Sequence, residues 1–145
     1  MEIKSLTKIA YQRVSNGRDQ VLQKNRGYGI VTVNFKDLIF AVPLRSNLNH
    51  PNGFKTILVG KVWNGLDYSK ALLVESADIT QESFVLRDQK EYEKIIKNKD
   101  KIINEFAKYL TDYITFCESK NKDIPMKFKF TTLRYFHSEL GVIDL

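Results

Sequence analysis

The sequence predicts an α+β fold: a compact, mostly antiparallel, barrel-like sheet over residues 28–86, with added helices at 88–118 and 131–140. Three observations predict it. Between residues 28 and 86 the apolar and β-branched residues fall in short runs separated by turn formers. The connections between those runs are short, as in a small, strongly curved sheet whose closure removes exposed edges. From Asp88 onward the apolar spacing changes to three and four residues, the period of a helix.

Taken in order, Ile3, Leu6, Ile9 and Ala10 fit a short strand running into a helical turn. Residues 15–27, SNGRDQVLQKNRG, are polar and rich in turn formers, and read as a loop. In GIVTVNF, Ile30, Thr32 and Asn34 alternate with Val31, Val33 and Phe35, which predicts the first firm strand. Lys36-Asp37 then turns the chain into a second strand, Leu38 to Leu44, apolar on both faces as befits a strand crossing a packed core. Pro43 has no amide donor, so it belongs at a strand end, a bulge or an unpaired edge. KTILVGKVW is expected as a third strand and ALLVE as a fourth, with NGLDYS as the turn between them. ADITQESFVL adds a short strand or a helical turn.

Tyr92, Ile95, Ile96, Ile102, Ile103, Phe106, Tyr109, Leu110, Tyr113 and Phe116 trace one amphipathic helix, or two joined near Asn98 to Lys101. Such a stripe is core packing, and the lysines opposite it form a solvated face. Ser119 to Lys127 is a polar linker with Pro125. Thr131 to Leu140 is expected to form a last short helix, capped by Thr131 or Thr132 and stopped at Gly141.

A chain of 145 residues with 43% hydrophobic and 12% aromatic content can fill the core of one domain, with or without a small appendage. The net charge of +6, from 23 basic and 17 acidic residues, suits a polyanionic partner without demanding one. Cys117 is the only cysteine, so no internal disulfide forms. Its setting, YITFCESK, is that of a buried thiol at the end of a helix. The N-terminal residues lack the apolar core of a signal peptide, and the run from Leu38 to Leu44 is too short to span a bilayer. A cytoplasmic protein is expected.

No cysteine–histidine metal framework, phosphate-binding glycine loop or HExxH pattern occurs, so neither a metal nor another cofactor is expected. GYG at 27–29 reads as a turn before a strand, and Asp67 and Asp78 as structural or solvated acids. The informative stretch is FAVPLRSNLNHPNGF, residues 40–54, where an apolar strand gives way to hydrogen-bonding groups. Arg45 offers planar charged donors suited to phosphate. Ser46 can donate one directed hydrogen bond, Asn47 and Asn49 can read base edges or phosphate, and His50 can exchange a proton near neutrality. Such a set can cleave RNA without a metal, because the ribose 2′-hydroxyl is itself the nucleophile. A polar loop whose arginine merely pairs with an acid uses the same residue types.

The run RGYGIVTVNFKDLIFAVPLRSNLNHPNGFKT, then GLDYSKALLVE, then a late LRYFHSELG, resembles the toxins of type III toxin–antitoxin systems. The branches it resembles are CptN and TenpN, with ToxN and AbiQ more distant. The likeness runs from Arg26 through Glu75 and returns at Thr131 to Gly141. It implies a MazF/PemK-like, SH3-like barrel and a metal-independent endoribonuclease leaving 2′,3′-cyclic phosphate and 5′-hydroxyl ends. It also implies a small structured antitoxin RNA, a pseudoknot, cut from a repeated precursor and held as an inhibitor in a closed toxin–RNA assembly. Such systems act in antiviral defence by abortive infection.

ToxN-like members carry Thr-Ser-Pro-Lys after the Pro-Leu of the second barrel strand, where this chain has Arg45-Ser46-Asn47-Leu48. Ser46 carries over, and Arg45 or His50 must take the lysine's role. The resemblance thus gives Arg45 and Ser46 the scissile phosphate, His50 a proton transfer to the leaving 5′-oxygen, and Tyr28 the orientation of the 2′-hydroxyl. Arg18, Lys24, Arg26, Asn47, Asn49, Lys55, Lys61 and His137 are its candidates for RNA contact, although a structural hydrogen bond suits His137 as well. A module that holds structured RNA without cutting it is the alternative.

Overall fold

The protein, seen here in a computed structural model, is described over residues 1–22, 29–84 and 88–142. In chain order its strands are β1 (Ile3–Ser5), β2 (Gly29–Phe35), β3 (Leu38–Arg45), β4 (Gly53–Val59), β5 (Val62–Asp67) and β6 (Leu72–Val74). Its helices are α1 (Lys8–Ser15), α2 (Gln89–Lys97), α3 (Lys99–Glu118), α4 (Met126–Lys129) and α5 (His137–Leu140). Tight 3₁₀ turns occupy Tyr68–Lys70, Ser76–Asp78 and Thr132–Phe136.

Strand β3 is the centre of the sheet because it has no polar face. Phe40, Val42 and Leu44 enter one apolar cluster with Ile102, Phe106 and Leu110 of α3. Ala41, one residue out of phase, enters a second cluster with Ala10 and Val14 of α1 and with Phe136. Period-two alternation puts these sets on opposite faces. Phe106 packs edge-on against Phe40 with centroids 5.6 Å apart, and lies 5.8 Å from Tyr68.

All pairings are antiparallel, in the order β1-β2-β3-β5-β4, with β6 also on β3. The sheet is therefore open, and the barrel expected from the short connections is not formed. Closure would require β1 and β4 to meet, and each edge is covered by something else. Residues 78–84 lie along β1, with Thr80 N–H donating to Ser5 O (2.9 Å) and Phe84 N–H to Ile3 O (2.8 Å). On β4, whose register shifts between Lys55 and Leu58, the buried Thr56 hydroxyl donates to the buried Glu91 carboxylate of α2. Covering an edge removes the aggregation hazard as closure does.

Two further differences have local causes. KTILVGKVW is two strands, because Gly60 (φ 63°) turns the chain between Val59 and Val62, which pair directly. Lys36 (φ 53°) serves the same purpose between Phe35 and Leu38. The last helical segment is a 3₁₀ turn followed by α5, ending at Gly141 with φ 74°. Pro43 faces Ile30 across β2–β3. On the other side of β3 it falls between the stretch paired with β6 (Ile39–Ala41) and the stretch paired with β5 (Leu44–Arg45), where no ladder bond is lost. Among the described residues no helix is long and apolar enough to cross a membrane.

Phe106 is fully buried, whereas Ile103 on the same helix is 37% exposed. Phe106→Ala should therefore cost about 3–5 kcal/mol of unfolding free energy, and Ile103→Ala under about 1 kcal/mol. Urea denaturation of the two variants checks this, and equal losses would show that α3 does not pack as described.

Candidate active site

Strand pairing builds the site. Arg45 is the last residue of β3 and sits opposite Gly65 of β5, so the end of β3 lies beside Asp67, the last residue of β5. The loop 46–52 is then folded back by a buried plug. Leu48 is 2% exposed, and its N–H donates to Trp63 O at 2.7 Å. A Cβ on Gly65 would come within 2.3 Å of Phe54 O and 2.7 Å of Leu48 Cδ2, and one on Gly53 within 2.4 Å of Leu66 O. Those two glycines are the space in which Leu48 sits. Asn47, with φ 56°, makes the preceding bend, a conformation asparagine tolerates better than most residues.

The plug delivers His50 to Asp67. Asn52 N–H donates to His50 Nδ1 (3.1 Å), which fixes the lone pair there, so Nε2–H donates to Asp67 Oδ2 (3.1 Å). Arg45 Nη1 donates to the same oxygen at 2.7 Å. The other oxygen, Oδ1, accepts from Ser69 N–H (3.0 Å) and Ser69 Oγ–H (2.6 Å), capping the turn Tyr68–Lys70. Burial of Asp67 opposes its ionisation, but the hydrogen bonds from His50, Ser69 and Arg45 outweigh it and hold the carboxyl below its ordinary range.

Next in the chain, Lys70 is buried, and burial lowers the pKa of its ammonium. Its hydrogen bonds go to two uncharged acceptors, Gln20 Oε1 (3.0 Å) and Phe130 O (2.8 Å). An ammonium has three donors, so one remains for a ligand. Arg45, His50, Ser69 and Lys70 line one cavity of about 540 Å³ together with Met126, Lys127 and Phe130. Two cations on one wall, with a single saturated carboxylate behind them, make an anion site. Among the described residues, no group of three or more His, Cys, Asp or Glu side chains could hold a metal ion.

Of the residues singled out in the sequence, Arg45, Asn49 and His50 line this cavity. Ser46 and Asn47 are exposed on the same loop, outside the lining, and Lys55 and Lys61 are exposed on β4 and the β4–β5 turn. Arg18 stacks over Tyr135 and Phe136, 5.3 Å from each ring centroid. His137 lies against α3, with Nε2 2.5 Å from the Tyr113 hydroxyl and 3.9 Å from Cys117 Sγ. Lys24, Arg26 and Tyr28 lie outside the described residues. The sequence reading missed Ser69 and Lys70 and undervalued Asp67. Their signal was DYSK, an acid closing a strand with a hydroxyl and a cation just beyond, but it points to a site only once β3 and β5 are known to pair.

No protein-family model matches the chain, and no curated protein matches it in sequence. Solved structures do match in shape. One is AbiQ, described as a lactococcal anti-phage endoribonuclease belonging to the type-III toxin-antitoxin system, with TM-score 0.63 and 12% identity over 97% of this chain and 95% of that one. Its fold is this fold. A second match comes from work described as "A processed non-coding RNA regulates a bacterial antiviral system", with TM-score 0.60 and 12% identity over 94% of this chain and 98% of that one. AbiQ and the second protein thus share with this chain an architecture that runs almost end to end.

Asp67→Asn removes the charge that Arg45 and His50 face while keeping the side-chain volume. The expected loss is about 2–4 kcal/mol near neutral pH, since a charge is left without its partner. Because the folded-state pKa of Asp67 is lowered, its contribution is complete above the unfolded value and lost as pH falls through the folded one. The difference between wild type and variant should therefore shrink below about pH 4 in chemical denaturation. A difference that grows toward acid pH would reverse the assignment.

Proposed function

We propose that the protein is the toxin of a type III toxin–antitoxin system, a metal-independent endoribonuclease that cuts RNA by attack of the 2′-hydroxyl. The carrying observation is the pair Arg45 and Lys70 on one cavity wall, the first oriented by a buried carboxylate and the second bonded only to uncharged acceptors. Arg45 and Lys70 hold the non-bridging oxygens of the scissile phosphate and stabilise the charge that grows as phosphorus becomes five-coordinate. The 2′-oxygen then bonds to phosphorus and the bond to the 5′-oxygen breaks, leaving a 2′,3′-cyclic phosphate and a 5′-hydroxyl.

In the resting arrangement both ring nitrogens of His50 are engaged, by Asn52 and Asp67. His50 therefore positions the Asp67 carboxylate before it can pass a proton, and proton transfer to the leaving oxygen requires one of those bonds to exchange. Ser69, buried and 3.5 Å from His50 Nε2, is the hydroxyl nearest that exchange. Ser46 flanks the phosphate from the loop, and Tyr28 is retained as the group orienting the 2′-hydroxyl.

The likeness of fold to AbiQ supports the reaction class, and the resemblance read from RGYGIVTVNFKDLIFAVPLRSNLNHPNGFKT and LRYFHSELG is the ground for the CptN and TenpN branch. The second match, from an antiviral system regulated by a processed non-coding RNA, supports a structured antitoxin RNA as partner. A net charge of +6 supplies its salt-dependent affinity. A non-catalytic RNA-binding module uses the same cations but breaks no bond.

Purified protein should cut RNA in excess EDTA and spare a substrate with one 2′-deoxyribose at the scissile position. Arg45→Ala and Lys70→Gln should each slow cleavage about a hundredfold or more while weakening RNA binding much less. Gel-resolved cleavage beside a binding titration makes the comparison. Cleavage of the 2′-deoxy substrate would overturn the chemistry, and tight binding without any cleavage would leave the module.

A further inference from the structure

The cavity lining is not all polar. Met126 and Phe130, four residues apart, are 71% and 51% exposed, and both line the same cavity as Arg45 and Lys70. Large apolar side chains held in water cost free energy, and here the surrounding chain holds them firmly. Phe128, between them, is buried against Tyr109, Tyr113 and Phe116 with ring centroids 5.5, 5.2 and 5.5 Å away. The Phe130 carbonyl accepts from Lys70 Nζ, the Thr131 hydroxyl donates to Ser69 O at 3.2 Å, and the Thr132 hydroxyl donates to Ala71 O. The backbone of this aromatic residue is thus bonded to the residues that form the anion site. Lys129 Nζ stands 5.7 Å from the Phe130 ring centroid, adding positive charge at the rim.

We propose that Phe130, backed by Met126, is a stacking platform for one unpaired nucleobase next to the phosphate held by Arg45 and Lys70. This rests on the reading of the cavity as an RNA site and names its base subsite. A nucleotide joins an anionic phosphate to a flat, polarisable ring, and the cavity offers cations and, bonded to one of them through its carbonyl, a residue with a flat ring. Stacking is tolerant of base identity, because every base has a π-face. The platform therefore selects single-stranded over paired RNA. A paired base is already stacked within its helix and cannot reach Phe130.

The test is a two-by-two comparison of protein and RNA. The RNA is a short single-stranded oligonucleotide with a 2′-deoxyribose at the scissile position, so that it binds uncut, and its partner keeps that 2′-deoxy sugar but lacks the base on either side of the phosphate. Phe130→Ala should weaken binding of the intact oligonucleotide about 5- to 100-fold and leave binding of the abasic one nearly unchanged. Phe130→Trp should restore the affinity and show fluorescence quenching by the intact oligonucleotide, above any change from Trp63 alone in the wild type. Equal effects of Phe130→Ala on intact and abasic RNA, or affinity indifferent to the abasic site, would overturn the platform. Neither readout needs cleavage. An inactive protein that still shows the coupling refutes only the ribonuclease reading, and an active one without it refutes only the platform.

Discussion

Four donors converge on the buried carboxylate of Asp67: Arg45 Nη1 and His50 Nε2 on one oxygen, Ser69 N–H and Ser69 Oγ–H on the other. A fully buried carboxylate is expensive unless its lone pairs are used, and here each oxygen accepts twice. These bonds join the end of β3, the loop 46–52 and the turn Tyr68–Lys70 at one point. They also decide which group is free to act. Arg45 spends one donor on Asp67 and keeps others for a ligand, whereas His50 has both nitrogens committed. The electrostatic result is a cavity wall presenting more positive charge than its single acid can neutralise.

The rest of the molecule serves to hold that point still. Leu48 plugs the space above Gly53 and Gly65, so the loop carrying His50 is fixed by packing as well as by hydrogen bonds. The Tyr68 hydroxyl donates to Glu105 at 2.9 Å, which ties the turn to α3. From α3, Asp112 accepts from Lys127 at 2.7 Å, and the Tyr109 hydroxyl donates to Lys127 O, which fixes α4 beside the cavity it lines. The turn Tyr68–Lys70 and α4, which both line the cavity, are therefore tied to the same long helix. Such support holds the charged groups of the cavity in fixed positions.

What was legible in the sequence follows from which signals are local. Val31, Val33, Phe40 and Val42 announce their strands through alternation and branching, and α3 through its spacing. The β4–β5 hairpin was read as one strand because Leu58, Val59 and Val62 look like a buried run, although all three are exposed at its tip. Whether a sheet closes depends on which edges meet, and the cover on β1 comes from residues some seventy-five positions away. Arg45 and His50 could be singled out because a polar loop after an apolar strand is conspicuous. Asp67, Ser69 and Lys70 could not, since their importance lies in the β3–β5 pairing and in burial that no short window reveals.

The proposed reaction is attack of an internal ribose hydroxyl on a phosphate held by Arg45 and Lys70. The most direct measurement is phosphorus-31 NMR of the products when a defined RNA is incubated with the protein in excess EDTA. The resonance of a 2′,3′-cyclic phosphate should appear first, in proportion to new 5′-hydroxyl ends, and should be absent with Lys70→Gln over the same interval. Products bearing 5′-phosphates, or cleavage that begins only when a divalent metal is added back, would contradict attack by the 2′-hydroxyl in this cavity.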